Sequence, residues 1–196
     1  YPIGLDGIEV INMRALWQEL WLKDRLNFSW SIFTYPWNPQ LALMRLIKEP
    51  ERELELWDYL NKQKPTLGFL GNETTAKIFN IFGLNFTFPS YEQSFNFASN
   101  HILLSSELTG HVKSDRKKIY TSLAKGHFYF AFDSIGNPEG FASYIKKGEE
   151  TFLMGSKVTL TGEKNLLITE LPKGLIVPTT TEVYKDGKLF FKSNEV

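Results

Sequence analysis

A short apolar segment, Leu67–Leu70, constrains the fold more than any other stretch of the chain. It follows a helical stretch ended by Pro65, contains Gly68, and leads through Gly71 into a polar loop. An apolar run of about four to eight residues in this setting is typical of a buried strand in a parallel sheet. Because ligands of α/β folds lie at the carboxyl ends of such strands, we expect any ligand-binding or catalytic residues in the loop 71–75.

The segments before this strand alternate in the way that a parallel sheet requires. β-branched residues predict a first strand at Gly7–Asn12. Apolar spacing and proline positions predict three helices, Met13–Leu26, Pro39–Ile47 and Pro50–Lys62. The prolines that end Phe28–Pro36 argue against continuous helix there, and Ile78–Asn100 reads as irregular aromatic chain. Strand, helices, strand is the order of an α/β fold.

The rest of the chain is predicted to be rich in β-structure. One helix, Ser114–Lys125, is expected with Ser114 as its cap. Strands are predicted at His101–Ser105, His127–Asp133, Gly140–Lys146, Lys157–Thr161, Asn165–Glu170, Glu182–Lys185 and Lys188–Lys192. Asp186-Gly187 is a strong hairpin turn between the last two. We therefore predict an α/β part over residues 1–110 and a small antiparallel β-sandwich with one leading helix over residues 111–196.

Composition excludes several classes of protein. The 196 residues carry 22 basic and 22 acidic side chains, so no net field steers the chain toward nucleic acid or membrane. A basic helix between His111 and His127 is more typical of a solvated face than of a phosphate-binding surface. There is no cysteine, which excludes disulfides and thiolate sites. No apolar run approaches the about 18 residues of a membrane span.

Two segments resemble the polymerase-and-histidinol-phosphatase (PHP) family of metal-dependent phosphoesterases. Gly4–Asn12 is similar to the family's G-x-D-G-I-E-V-x-N strand, and Gly71–Ala76 aligns with its G-S-D-A-H segment. The resemblance implies a distorted (β/α)7 barrel in which this chain forms the C-terminal part, followed by the β-sandwich module. It also implies a divalent metal cofactor (zinc, manganese or iron), and hydrolysis of a small phosphoester.

The resemblance places site residues on the loop after Leu70. The family's Asp falls on Glu73, which becomes the metal ligand, and its His falls on Thr75. Asn72 and Thr75 become the substrate-binding residues, and no residue is assigned a catalytic role. Because a Thr hydroxyl does not replace an imidazole, the metal site is expected to be weakened or lost. A polar turn in which Asn72 or Thr74 caps the next element explains the same residues.

Other polar residues give no second site. The spacings of His101, His111 and His127 match no local zinc motif. Asp6 and Glu9 are three apart on a strand, so they are expected on opposite faces.

An alternative function is a non-catalytic interaction module, whose exposed aromatic residues are predicted to be Phe128, Tyr129, Phe190 and Phe191. The chain begins past the family's His-x-His motifs, which suggests a fragment. A partial barrel exposes an apolar face, so we expect pairing with a missing N-terminal segment or with a second copy.

Overall fold

The computed structural model describes residues 4–75, 77–81, 83–160, 162, 164–173 and 178–195. Helices and strands both contribute, as the α/β assignment predicted. The helices are α1 (Met13–Lys23), α2 (Arg25–Thr34), α3 (Pro39–Met44), α4 (Glu51–Gln63), α5 (Tyr91–Phe95) and α6 (Val112–Ala124). The strands are β1 (Gly7–Asn12), β2 (Leu67–Gly71), β3 (Lys77–Ile81), β4 (Leu84–Phe88), β5 (Ser99–Ile102), β6 (Phe128–Ala131), β7 (Ala142–Lys147), β8 (Glu150–Leu153), β9 (Asn165–Glu170), β10 (Thr179–Lys185) and β11 (Lys188–Glu195).

The chain divides into two compact units. The first runs to Ser99 and also takes in Phe132–Ser134 and Thr180–Glu195. The second consists of Asn100–Ala131 and Ile135–Thr179. Both units are discontinuous in the chain, and the division predicted at residue 110 stays a prediction.

The parallel pairing of β1 with β2 is the centre of the first unit. Gly7 pairs with Leu67 and Asn12 pairs with Gly71, so the two strands end at the same edge. The register shifts between Glu9 and Ile11, which leaves Val10 as an extra, bulged residue. Val10 is fully buried and Ile11 nearly so, as expected for a strand covered on both faces. Both strand predictions are confirmed.

Helix α4 packs on this strand pair through Trp57. The indole Nε1 donates to the carbonyl of Thr66 at 2.8 Å, and the amide side chain of Asn61 accepts from the Thr66 N–H at 2.9 Å. A Cβ added to Gly68 would lie 2.7 Å from Val10 Cγ2 and 3.0 Å from the Trp57 ring. Gly68 is therefore required by the close approach of the helix to the strand.

Two helices replace the single helix predicted over Met13–Leu26. Asp24 interrupts it: its N–H bonds to the Leu20 carbonyl, ending α1, while its carboxylate accepts from the Asn27 N–H and caps α2. The expectation of no helix across Phe28–Pro36 is wrong, because α2 continues to Thr34. Pro36 lies just beyond that end, where it removes no helical hydrogen bond.

The aromatic segment Ile78–Asn100, predicted to be irregular, contains regular structure. Strands β3 and β4 form an antiparallel hairpin, and α5 follows with Ser90 as its cap. The phenol of Tyr35 accepts from the Ser90 N–H at 3.0 Å, and its ring packs edge-on against Phe88. Phenylalanine occurs in both the strands and the helix of this segment. The sequence therefore does not show the apolar alternation that marks a strand.

The second unit contains α6 and a three-stranded antiparallel sheet in the order β8-β7-β9. The predicted cap at Ser114 is wrong: α6 begins at Val112, and the Ser114 hydroxyl donates to the His111 carbonyl inside the first turn. The strand predicted at Lys157–Thr161 is absent from residues 157–160, and Thr161 lies outside the described residues. Strand β8 was not predicted.

The hairpin β10–β11 confirms the predicted Asp186-Gly187 turn. Both turn residues have positive φ, 53° and 77°, which is the conformation of a two-residue turn that matches strand twist. The hairpin belongs to the first unit, and the three-stranded sheet belongs to the second. No helix in the described part of the chain is long and apolar enough to cross a membrane.

We predict that Gly68→Ala lowers the free energy of unfolding by about 1–3 kcal/mol, because the new methyl overlaps Val10 and the packed Trp57 ring. Urea unfolding of the purified protein measures it. Gly136→Ala is the matched control, since a Cβ there has no neighbour within 4 Å. An equal effect of the two substitutions would contradict the close packing of α4 on β2.

The hydrogen bonds of Asp115 indicate that the stability of the second unit falls at acid pH. Its carboxylate accepts from the Thr109 N–H and hydroxyl at 3.0 Å and from the Gly110 N–H at 2.8 Å. The Thr109 backbone bond, the Thr109 hydroxyl, the Gly110 N–H and Lys118 lower the pKa of Asp115 in the folded state. This stabilisation is complete above the unfolded pKa of about 3.9 and is lost as pH falls through the lower folded pKa.

We therefore expect Asp115→Asn to lower the melting temperature at pH 7, with a difference from wild type that shrinks below about pH 4. Thermal unfolding at several pH values measures it. The control is Glu150→Gln, which removes an exposed carboxylate of the same unit. A difference between Asp115→Asn and wild type that stays constant from pH 7 to pH 3 would refute the assignment.

Candidate functional site

The carboxyl ends of β1 and β2 bring three polar side chains together. Asn12 is the last residue of β1, and Gly71, its partner in the register, is the last residue of β2. Two residues further on, Glu73 Oε1 lies 3.5 Å from Asn12 Nδ2. Glu73 has φ 47°, a left-handed conformation that non-glycine residues adopt rarely. The metal ligand predicted at Glu73 therefore lies at the strand-end edge where α/β folds bind ligands.

Glu9 is the site residue that sequence reasoning missed. Asn12 Nδ2 also donates to Glu9 Oε2, so one amide group joins Glu9 to Glu73. On a regular strand, residues three apart point to opposite faces, which separates Glu9 from Asn12. The extra residue at Val10 shifts that alternation by one and allows them to meet. Nothing in the sequence around Val10 signals this bulge.

Asp6 takes no part in this cluster. Its carboxylate accepts from Lys64 Nζ at 2.9 Å on an exposed surface. The side-chain bond from Lys64 and the charge of Lys64 lower the pKa of Asp6. The expectation that Asp6 and Glu9 do not act as a pair is consistent with this partner.

The amide of Asn12 has a fixed orientation. Its Oδ1 accepts from the Ala15 N–H at 2.9 Å and so caps α1. Because the oxygen is used by the helix, the NH₂ group faces the two carboxylates. The Glu9–Asn12–Glu73 cluster thus places two negative charges on either side of one neutral donor.

Gly71 leaves the space that the Glu9 carboxylate occupies. A Cβ at this position would overlap Glu9 Oε1, Cδ and Oε2. A glycine at the end of β2 is therefore a condition for the cluster, and it is the one sequence signal that points to a close approach at this edge.

Of the other predicted site residues, Asn72 forms a structural hydrogen bond and Thr75 is exposed. Asn72 Nδ2 donates to the Ala98 carbonyl at 2.8 Å, which ties the loop to the chain before β5. Thr75 is exposed and lines a cleft. The Thr74 hydroxyl is buried and has no hydrogen-bond partner in the part of the chain that the structure describes. A strand, β3, follows the loop, so neither Asn72 nor Thr74 caps a helix. Ala76, which completed the resembling segment, lies outside the described residues.

An open cleft of about 590 Å³ adjoins Glu73. Its walls are mainly aromatic and apolar, and its polar groups come from α1 and the loop after β2. The residues that line it are Arg14, Trp17, Gln18, Trp21, Leu22, Phe28, Glu73, Thr75, Phe88 and Pro89.

Ring contacts fix the aromatic walls of this cleft. Trp17 packs on Phe88 with ring centroids 5.5 Å apart, and Trp21 packs edge-on against Phe28 at 5.4 Å. Arg25 lies over the Trp21 ring at 5.3 Å. The indole Nε1 of Trp17 is buried and has no acceptor among the described residues.

The carboxylates of Glu9 and Glu73 are the groups at this edge that can hold a cation. Among the described residues there is no group of three or more histidine, aspartate or glutamate side chains close enough to hold a metal ion. A cation between Glu9 and Glu73 would require the Asn12 NH₂ group to give up at least one of its bonds. His101, His111 and His127 all belong to the second unit.

Comparison with known proteins adds no family to this description. None of the protein-family models, curated proteins and solved structures with which the chain was compared matches it.

We predict that Asn12→Asp destabilises the protein at pH 7 although Asp caps a helix as well as Asn does. The new carboxylate replaces a donor between Glu9 and Glu73, so three carboxylates lie together and repel one another. The cost is present at pH 7 and shrinks as pH falls toward about 4, because protonation of carboxylates removes the repulsion. Urea unfolding of wild type and variant across this range measures the difference.

The control repeats Asn12→Asp in a Glu73→Gln background. Removing one of the two neighbouring charges should reduce the cost of the substitution, because the groups are in contact. An identical cost in both backgrounds would show that Glu73 does not interact with position 12.

Proposed function

We propose that the chain is a PHP-like metal-dependent phosphoesterase whose metal site is reduced to the Glu9–Asn12–Glu73 cluster. The observation that carries the proposal is the meeting of two carboxylates and an amide at the carboxyl ends of two adjacent parallel strands. This is the edge at which α/β enzymes place their ligands.

The proposal includes the finer architecture expected from the resemblance. In it, β1 and β2 are neighbouring strands of a PHP-type (β/α)7 barrel, and the antiparallel sheets form the accompanying sandwich. The parallel pairing of β1 and β2, with four helices between them in the chain, supports the first part. Packing of α4 against the strand pair through Trp57 supports the helix-covered sheet that such a barrel needs.

The donors present suit a hard divalent cation. Glu9 and Glu73 offer carboxylate oxygens, and Thr75, which stands where the resemblance expects a histidine, offers no imidazole. Oxygen ligands favour manganese or magnesium over zinc. When bound, such a cation supplies Lewis-acid chemistry toward a phosphoester. Both carboxylates are exposed and Asn12 competes for them, so we expect weak binding and slow hydrolysis.

Calorimetric titration with Mn²⁺ tests the proposal. We expect weak binding by wild type, at least about tenfold weaker binding by Glu73→Gln, and tighter binding by Asn12→Asp, which exchanges a donor for a third carboxylate. Glu92→Gln, which removes an exposed carboxylate on α5, should bind as wild type does. Gly71→Ala should weaken binding because its methyl displaces the Glu9 carboxylate.

Equal Mn²⁺ binding by wild type, Glu73→Gln and Asn12→Asp would refute the metal site. The second candidate function, a non-catalytic interaction module, would then be favoured. Its support is the exposure of Phe190 and Phe191 on β11, at 72% and 52%. Phe128, also predicted to be exposed, is 8% exposed and does not contribute, while the ring of Tyr129 packs between His101 and Phe141.

A further inference from the structure

We propose that the aromatic cleft beside Glu73 binds the ring of an aromatic phosphate monoester, with the phosphate at the strand-end edge. The proposal rests on the proposed function for the phosphate end only. The ring-binding part is carried by the cleft itself and can be tested separately.

The size and lining of the cleft fit a flat apolar group. Its volume of about 590 Å³ lies within the range of small-molecule sites. Trp17, Trp21 and Phe28 line it together with Phe88, and their mutual ring contacts hold them in place. Aromatic walls bind another ring through apolar burial and through offset or edge-on ring contacts.

Arg14 gives the cleft a cation that can pair with the phosphate of the ligand. Arg14 is exposed on the first turn of α1, lines the cleft, and forms no ion pair with a described residue. Arg25 already covers the Trp21 ring at 5.3 Å, so a ligand cation would be repelled there. A guanidinium pairs well with phosphate. Glu73 lies in the same lining and joins the cleft to the Glu9–Asn12–Glu73 cluster, which places the ester beside the proposed cation site.

Calorimetric titration of the whole chain with phenyl phosphate and with methyl phosphate tests the proposal. The two ligands share the phosphate and differ in the ring. We expect phenyl phosphate to bind at least about tenfold more tightly, with EDTA and with Mn²⁺ alike, because the ring is buried in the cleft. Arg14→Gln should weaken the binding of both ligands and leave the ratio of their affinities unchanged.

Trp21→Ala should reduce the ratio of the two affinities toward one, and Phe28→Leu should reduce it by a smaller factor. Trp30→Ala is the matched control: Trp30 is 55% exposed and stacks on Phe33 outside the cleft. Circular dichroism verifies that each variant is folded. Phe28→Leu retains an apolar side chain and so serves as the test if Trp21→Ala does not fold.

Equal affinities for the two ligands, or no binding of phenyl phosphate, would overturn the proposal. The proposal would also be overturned if Trp30→Ala reduced the ratio of the two affinities as much as Trp21→Ala does. The outcome is independent of the proposed function, because the ratio is measured without metal. A preserved ratio in a protein that binds no Mn²⁺ would refute the metal site and leave the ring-binding cleft in place.

Discussion

The first unit depends on the parallel pairing of β1 with β2. Parallel strands cannot be joined by a tight turn, so a crossover connection is needed. Here it contains four helices, and the last of them, α4, packs Trp57 on Gly68. The Trp57 indole and the Asn61 amide then satisfy the carbonyl and N–H of Thr66, the residue before β2. One helix thereby supplies both the apolar cover and the missing backbone partners of the strand.

The same pairing creates the candidate site through an irregularity. A regular register would place Glu9 and Asn12 on opposite faces, and the bulge at Val10 brings them together. Gly71 provides the space for Glu9, and the capping bond from Ala15 fixes which side of the Asn12 amide faces the carboxylates. A residue that serves as the helix cap is therefore also the group that holds two carboxylates together. Asn12 therefore links the start of α1 to the geometry of the cluster.

The aromatic residues of the first unit have two different roles that the sequence does not distinguish. Trp17, Trp21 and Phe28 line the cleft next to Glu73, whereas Trp30, Phe33 and Trp37 stack on one another at the surface. All lie on or next to the same pair of helices. The break at Asp24 ends α1 and starts α2, and Phe28, in the second turn of α2, packs back against Trp21 of α1. The helix predicted over Met13–Leu26 included Trp17 and Trp21 only, so it did not predict that Phe28 joins them.

Local patterns in the sequence determined the two strands β1 and β2, the helix after Pro50, the hairpin at Asp186-Gly187, and Glu73 at a strand end. Each depends on residues close together in the chain, such as an apolar run or a turn dipeptide. The tertiary structure alone decided that Glu9 joins the site, that Asn72 bonds to Ala98, and that Phe128 is buried. The physical reason is that a bulge, a glycine contact and a burial fraction are set by pairing between distant segments. The segment Leu67–Gly71 predicted where a site would form, and its partner strand decided which side chains form it.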